Sequence, residues 1–260
     1  MSDSRMPAVF IGHGSPMNAL EDNRYTTAWS ELAASMPKPR AIVCVSAHWF
    51  INASAVTAMA RPRTIHDFFG FPQALFDVRY PAPGSPELAQ QVVDAAAPTW
   101  IGLDLDSWGL DHGAWSVLAR MYPAADIPVI QLSVDASKPQ RHHFDIGAHL
   151  DALRADGVLV LCSGNIVHNL PMVDPSLGAD GFDWAHRFDE RVRELMTTGA
   201  CDALLALPEH ADYDLAVPTP DHYLPLLYLA GVASAAASKA DVVIDGYAYG
   251  SLSMTSYVVD

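Results

Sequence analysis

Ala8-Val9-Phe10-Ile11-Gly12-His13-Gly14-Ser15-Pro16 is an apolar run of strand length that stops on a histidine set between two glycines. The same construction recurs twice. Ala41-Ile42-Val43-Cys44-Val45 leads into Ser46-Ala47-His48-Trp49, and Val158-Leu159-Val160-Leu161-Cys162 leads into Ser163-Gly164-Asn165-Ile166-Val167-His168-Asn169. Short continuous apolar runs bounded by small residues have the length and composition of strands buried on both faces. Each is followed by a histidine in a turn. Ligands of open α/β sheets bind in the crevice outside the carboxyl ends of the strands, so His13, His48 and His168 are expected to converge on one edge of one sheet.

Segments of helical period fill the intervals. Tyr25 to Met36 reads as a helix closed by Pro37 and Pro39. Ser85-Pro86-Glu87 is a helix start, with serine as cap and proline in the first turn, leading into an Ala/Val-rich helix that ends near Pro98. Gly113 to Tyr122 is expected to be helical and Ile127 to Val134 a strand, after which Asp135 or Ser137 caps a helix running to about Arg154. Phe182 to Thr198 is amphipathic, and Asp221 is expected to open the helix that carries His222. The tail from Val242 to Val259 alternates apolar and polar residues around Gly246 and Gly250, the pattern of a hairpin or sheet-edge pair. The Pro/Gly-rich stretch Arg61 to Ser85 is the one long irregular segment, of the kind that walls a pocket. The alternation predicts a single α/β domain over residues 1–260, with a central mixed, mostly parallel sheet flanked by helices and the active site at the carboxyl ends of the strands.

Bulk properties agree with this. Over 260 residues, 50% hydrophobic and 17% charged content describe a chain that buries a substantial core. The formal charge of −15 repels phosphate backbones and anionic lipid heads, which argues against nucleic-acid or membrane-surface partners. Cys44, Cys162 and Cys201 are widely spaced, two of them inside apolar runs, and read as buried free thiols in a reducing compartment. The opening Met-Ser-Asp-Ser-Arg-Met-Pro lacks the apolar stretch of a signal peptide, and a cytoplasmic location is expected.

Neutral imidazole is the commonest transition-metal ligand, and several converging on one point suit Zn(II) or Fe(II). His112, in Trp108-Gly109-Leu110-Asp111-His112-Gly113-Ala114-Trp115, precedes a helix between tryptophans and suits a proton carrier beside such a metal. His66, in Thr64-Ile65-His66-Asp67-Phe68-Phe69, lies among aromatics in the irregular segment and is a candidate substrate-binding residue. His142, His143, His149, His186 and His210 are expected at the surface. The chain has neither the Gly-Lys-[Ser/Thr] ending of a phosphate-binding loop nor a Gly-x-Ser-x-Gly nucleophile elbow.

With these motifs the chain resembles the class III extradiol ring-cleavage dioxygenases, in the branch that contains bacterial and plant DOPA 4,5-dioxygenases. The resemblance spans nearly the whole chain. It is carried by Gly12-His13-Gly14-Ser15-Pro16-Met17, Ser46-Ala47-His48-Trp49, Thr64-Ile65-His66-Asp67-Phe68, Tyr80-Pro81-Ala82-Pro83-Gly84, Asp111-His112-Gly113, Gly164-Asn165-Ile166-Val167-His168-Asn169 and Pro218-Thr219-Pro220-Asp221-His222-Tyr223-Leu224-Pro225-Leu226.

It implies a non-haem metal held by His13, His48 and His222, the last standing where more distant relatives place a carboxylate. It gives His168 two roles, fourth ligand and acid/base, and makes His112 a second acid/base residue. The implied reaction opens the ring of a catechol, DOPA-like in this branch, beside its two hydroxyls with O2, using Fe(II), in a monomer or small homo-oligomer. An all-histidine site also accepts Zn(II), so the alternative is a zinc-dependent hydrolase or lyase on the same scaffold. A non-catalytic binding module is a third, weaker reading.

Overall fold

The apolar runs form the centre of one eight-stranded sheet. The computed structural model describes residues 5–260; Met1 to Ser4, part of the stretch examined above for a signal peptide, lie outside them. The strands are β1 (Ala8–Gly12), β2 (Ala41–Ile51), β3 (Ala55–Thr57), β4 (Gly102–Asp104), β5 (Val129–Asp135), β6 (Val158–Gly164), β7 (Asp241–Ile244), β8 (Tyr247–Ala248), β9 (Leu252–Ser253) and β10 (Ser256–Val259). The helices are α1 (Arg24–Ser35), α2 (Gln73–Phe76), α3 (Pro86–Ala95), α4 (His112–Met121), α5 (Gln140–Leu150), α6 (Asp183–Thr198), α7 (Tyr213–Ala216) and α8 (Leu224–Ala235).

Across the sheet the order is β4-β3-β5-β2-β6-β1-β10-β7. The four central strands β5, β2, β6 and β1 are parallel, so their carboxyl ends share an edge. β3 and β10 join this core antiparallel, β4 runs parallel to β3, and β7 runs antiparallel to β10. β8 and β9 pair separately as a short ribbon.

Because successive side chains of a strand point to opposite faces, each central strand feeds two cores. Phe10, Val43, Val45 and Val160 pack on one face under α3, α5, α6 and α8, while Val9, Ile11, Ile42, Cys44 and Leu161 pack on the other under α1 and α4. α8 is buried from Leu224 to Ala233, which is what a helix that is apolar on all sides requires. It crosses α5 backbone to backbone. A Cβ added at Gly231 would lie 2.0 Å from the Phe144 carbonyl oxygen, and one at Gly147 would lie 2.1 Å from that of Tyr228.

Several expectations are met closely. α1 forms over Arg24–Ser35, Ser85 caps α3 by accepting from the Leu88 N–H at 3.1 Å, and all three cysteines are buried and unpaired. The tail supplies β7 to β10. Four expectations need correction. α5 starts at Gln140 after Pro139, with no side-chain cap, because the Asp135 carboxylate accepts instead from Ser54 and Ser137; the stretch Asp151–Asp156 is a separate 3-10 turn. His48 is not in a turn beyond its strand. β2 continues to Ile51, and His48 lies where its register against β5 shifts between Val45 and Phe50. His222 precedes α8 rather than lying within it. His143 is fully buried beneath α8, its Nδ1 3.1 Å from the Tyr228 hydroxyl, whereas His142, His149, His186 and His210 are half-buried.

Among the described residues, no helix is long and apolar enough to cross a membrane.

Candidate active site

Five of the eleven histidines, His13, His48, His112, His168 and His222, meet at the edge of the sheet where β1 and β6 end and beside the C-terminal part of β2. His13 follows β1, its backbone N–H donating to the Gly164 carbonyl at 3.0 Å. His168 follows β6 and donates to the Ala216 carbonyl at 2.9 Å, while the His222 carbonyl accepts from Asn165 N–H at 2.9 Å. His112 is the first residue of α4, whose cap is Asp111. Only glycine fits next to it. A Cβ at Gly113 would lie 2.4 Å from Ser46 Oγ and 2.8 Å from His48 Cδ2, so the missing side chain lets α4 approach β2 closely enough for His112 to reach His48.

The ring centroids of His13, His48 and His222 form a triangle with sides of 5.1, 5.3 and 4.9 Å. Imidazoles that bind a common ion through nitrogens at about 2.0–2.1 Å, with angles between octahedral and tetrahedral, have centroids about 4.5–5.3 Å apart. This trio fits. His48 and His112 are too close at 3.7 Å, and His13 and His112 too far apart at 6.1 Å, for both rings of either pair to point straight at one ion. Even so, ring nitrogens of His13, His48 and His112 all lie within 4.8 Å of one another, so His112 borders the same point. His168 stacks on His222 with centroids 3.5 Å apart and planes 3° from parallel. An ion in the plane of one of these rings lies well outside the plane of the other.

The hydrogen bonds assign a tautomer to three of the five rings. Ser163 Oγ has one proton and donates it to the Gly113 carbonyl at 2.6 Å, so at 2.9 Å it must accept from His13 Nδ1–H. His222 Nδ1 bonds the Asp221 carboxylate. His112 Nδ1 lies 2.8 Å from Asp67 Oδ2, and His48 Nδ1 lies 3.4 Å from the same oxygen. A carboxylate only accepts, so Nδ1 of His222 and of His112 carries its proton and their Nε2 atoms are bare lone pairs. The approach of His48 to Asp67 lacks hydrogen-bond geometry and assigns His48 no tautomer. His13 Nε2 and His48 Nε2 are 3.2 Å apart, so the bare His13 nitrogen either accepts from His48 Nε2–H or shares a cation with His48, since about 2.9–3.4 Å is also the spacing of two ligand nitrogens of one ion.

Electrostatics push the same way. Burial, then the neighbouring His222, holds His13 well below the ordinary histidine range; burial, then His112, does so for His48. Burial, then His222, lowers His168 to about 2. These rings are neutral, which is the form that binds a metal. Burial opposes the charge of Asp221, but its bond to His222 holds its pKa at about 2. Burial, then the charge of Asp67, raises Asp111 to about 6, and its bond from Ser46 works against that rise.

His66 lies apart from the five. Its Nε2 is 3.0 Å from the Val78 carbonyl, and its ring packs on Phe68 and Phe76 of the irregular segment and on Trp115 of α4. Its link to the cluster runs through Phe68, which sits edge-on to His112 at 5.4 Å. Sequence reasoning missed Ser163, Asp67 and Asp221 as partners of Nδ1. Asp221 stands beside His222 in the chain, and an acidic neighbour of a candidate ligand was the available signal; Asp67 and Ser163 are brought in from 45 and 150 residues away.

A cluster of neutral imidazoles at the carboxyl edge of a mostly parallel sheet defines a metal-dependent enzyme of α/β class, and the chain belongs to the aromatic ring-opening dioxygenases. Residues 7–260 match the family described as the catalytic LigB subunit of aromatic ring-opening dioxygenase, a family that implies a catalytic metal. It is 51% identical over 259 residues to a 4,5-DOPA dioxygenase extradiol of Escherichia coli K12, covering 98% of this chain and 95% of that protein. A protein of the same name from Beta vulgaris is 37% identical over 263 residues, covering 98% and 97%. A crystal structure of an uncharacterised Escherichia coli K12 protein superposes with a TM-score of 0.85 at 44% identity, covering 98% of this chain and all of that one.

Proposed function

We propose that the chain is an Fe(II)-dependent extradiol dioxygenase that opens the ring of a DOPA-like catechol with O2. The observation that carries this is the approach of His13 Nε2 and His48 Nε2 to 3.2 Å in a buried site, the spacing of two ligands of one ion, with His222 completing a trio of ligand-compatible centroid spacing. In this reading His13, His48 and His222 hold the metal. Fe(II) bound there supplies a template for the two catechol oxygens and a path for electrons to O2.

The protein's own groups do the rest. His112, with its Nδ1–H tied to Asp67, presents a bare Nε2 that takes a phenolic proton. His168, stacked on His222 and kept neutral, is a hydrogen-bonding and acid/base group beside the ligand trio rather than a fourth ligand. Phe68, backed by His66, walls the aromatic substrate, so His66 acts on substrate binding through that ring. The chain works in the cytoplasm as a monomer or small homo-oligomer, with no nucleic-acid or membrane partner.

The test is metal content by elemental analysis, paired with oxygen-electrode turnover of DOPA and protocatechuate before and after anaerobic Fe(II) loading. Iron-dependent O2 uptake with a ring-opened product is the expected result; no uptake with any catechol after loading overturns the proposal. One observation favours a second reading. The carboxylates of Asp67 and Asp221 are engaged by Nδ1 atoms, which leaves an all-imidazole donor set that suits Zn(II) and hydrolytic or lyase chemistry. Activity retained with zinc alone under nitrogen would support it.

A further inference from the structure

The irregular segment brings one carboxylate against two of the five histidines. Asp67 Oδ2 lies 2.8 Å from Nδ1 of His112 and 3.4 Å from Nδ1 of His48. Its other oxygen, Oδ1, accepts the backbone N–H of His112 at 2.9 Å, at the first turn of α4, where a negative charge is favoured. The segment that carries it is tied down on both sides. Ile65 N–H donates to the Leu110 carbonyl at 2.7 Å, Leu110 N–H to the Arg63 carbonyl at 2.8 Å, and Trp115 Nε1–H to the Ile65 carbonyl at 2.7 Å. The nearby Asp111 takes no part in holding these imidazoles. Its oxygens accept from Ser46 Oγ at 2.7 Å, from Ala114 N–H at 3.1 Å, and from the Gln131 side-chain amide.

We infer that Asp67 is a positioning residue that sets the tautomer of His112, holding Nδ1–H so that Nε2 stays bare for a proton. This rests on the dioxygenase reading only for what that Nε2 atom then does. A carboxylate that fixes the ring of a histidine through its second nitrogen is a general device of metal sites, and its loss costs about 10–100-fold in metal affinity or activity. Here it acts on a proton carrier beside the ligands, with both of its oxygens engaged by His112.

Asp67→Asn separates this role from mere packing, because it keeps the shape and changes only the donor pattern. An amide that turns its oxygen to the His112 backbone N–H points its NH2 at His112 Nδ1 and forces that proton to Nε2. One that turns the other way sets its NH2 against the backbone N–H. The measurement is the ring-nitrogen NMR spectrum of chelator-treated, 15N-histidine-labelled protein, which tells Nδ1–H from Nε2–H directly and needs neither metal nor activity.

In the wild type, His112 is expected as the Nδ1–H tautomer, and His13 and His222 likewise. In Asp67→Asn, His112 shifts toward Nε2–H while His13 and His222 do not, and turnover by the iron-loaded enzyme falls about 10–100-fold. An Nε2–H tautomer for His112 in the wild type, or an unchanged tautomer in the variant, overturns the inference. The wild-type spectrum decides by itself if the variant does not fold. If the tautomers behave as stated and no catechol is consumed by the iron-loaded wild type, the dioxygenase reading fails and the role of Asp67 stands.

Discussion

At the level of single residues, the five clustered histidines divide by geometry. His13, His48 and His222 have the mutual spacing of ligands, whereas His112 sits too close to His48 to share an ion with it in ideal alignment. Replacing His13 or His48 by alanine is therefore expected to lose metal and activity together. His112→Ala is expected to keep the metal and lower turnover by about 10²–10⁴-fold, the contribution of a positioned acid/base group. Metal content and kcat measured on the same preparations check this, and release of metal from His112→Ala would move His112 into the ligand set. Alanine at His168 is expected to spare the metal as well, since its plane runs parallel to that of His222.

Among the elements, the site depends on how closely α4 lies on β2. Ser46, fully buried on β2, donates to the cap residue Asp111 at 2.7 Å, and Gly113 fits over Ser46 and His48 with no room for a methyl group. Gly113→Ala therefore forces α4 away from β2 or rotates His48, at a cost of about 1–3 kcal/mol as for other overpacked positions. The expected outcome is a lower melting temperature together with weaker metal binding and slower turnover, although residue 113 has no chemistry of its own. Wild-type stability and kcat in this variant would contradict the close-approach argument. The bulged part of β2 belongs to the same element, because the register shift between Val45 and Phe50 falls where His48 enters the site.

For the molecule as a whole, stability is tied to pH through buried histidines. His143 lies under α8, and burial lowers its pKa from 6.5 to about 4. The folded protein then binds fewer protons than the unfolded chain between those values, so stability is complete above pH 6.5 and is lost as pH falls toward about 4. For this one residue the loss is on the order of 3 kcal/mol. His143→Leu, compared with the wild type in metal-free buffer, is expected to show a shallower fall of melting temperature between pH 7 and 4.5; parallel slopes would show that His143 does not titrate in this way. The sequence alone determined the α/β class, the strands β1 and β6, the starts of α1, α3, α4 and α6, and the placing of His13 and His168 just beyond strand ends. Those features follow from local apolar runs, caps and breakers, which act within a few residues. What only the tertiary structure decided was which side chains meet: Asp67 with His48 and His112, Ser163 with His13, and His143 with Tyr228. These pairs join segments far apart in the chain. Their meeting depends on strand order, helix crossing and the path of the Arg61–Ser85 segment, none of which leaves a periodic trace in the sequence.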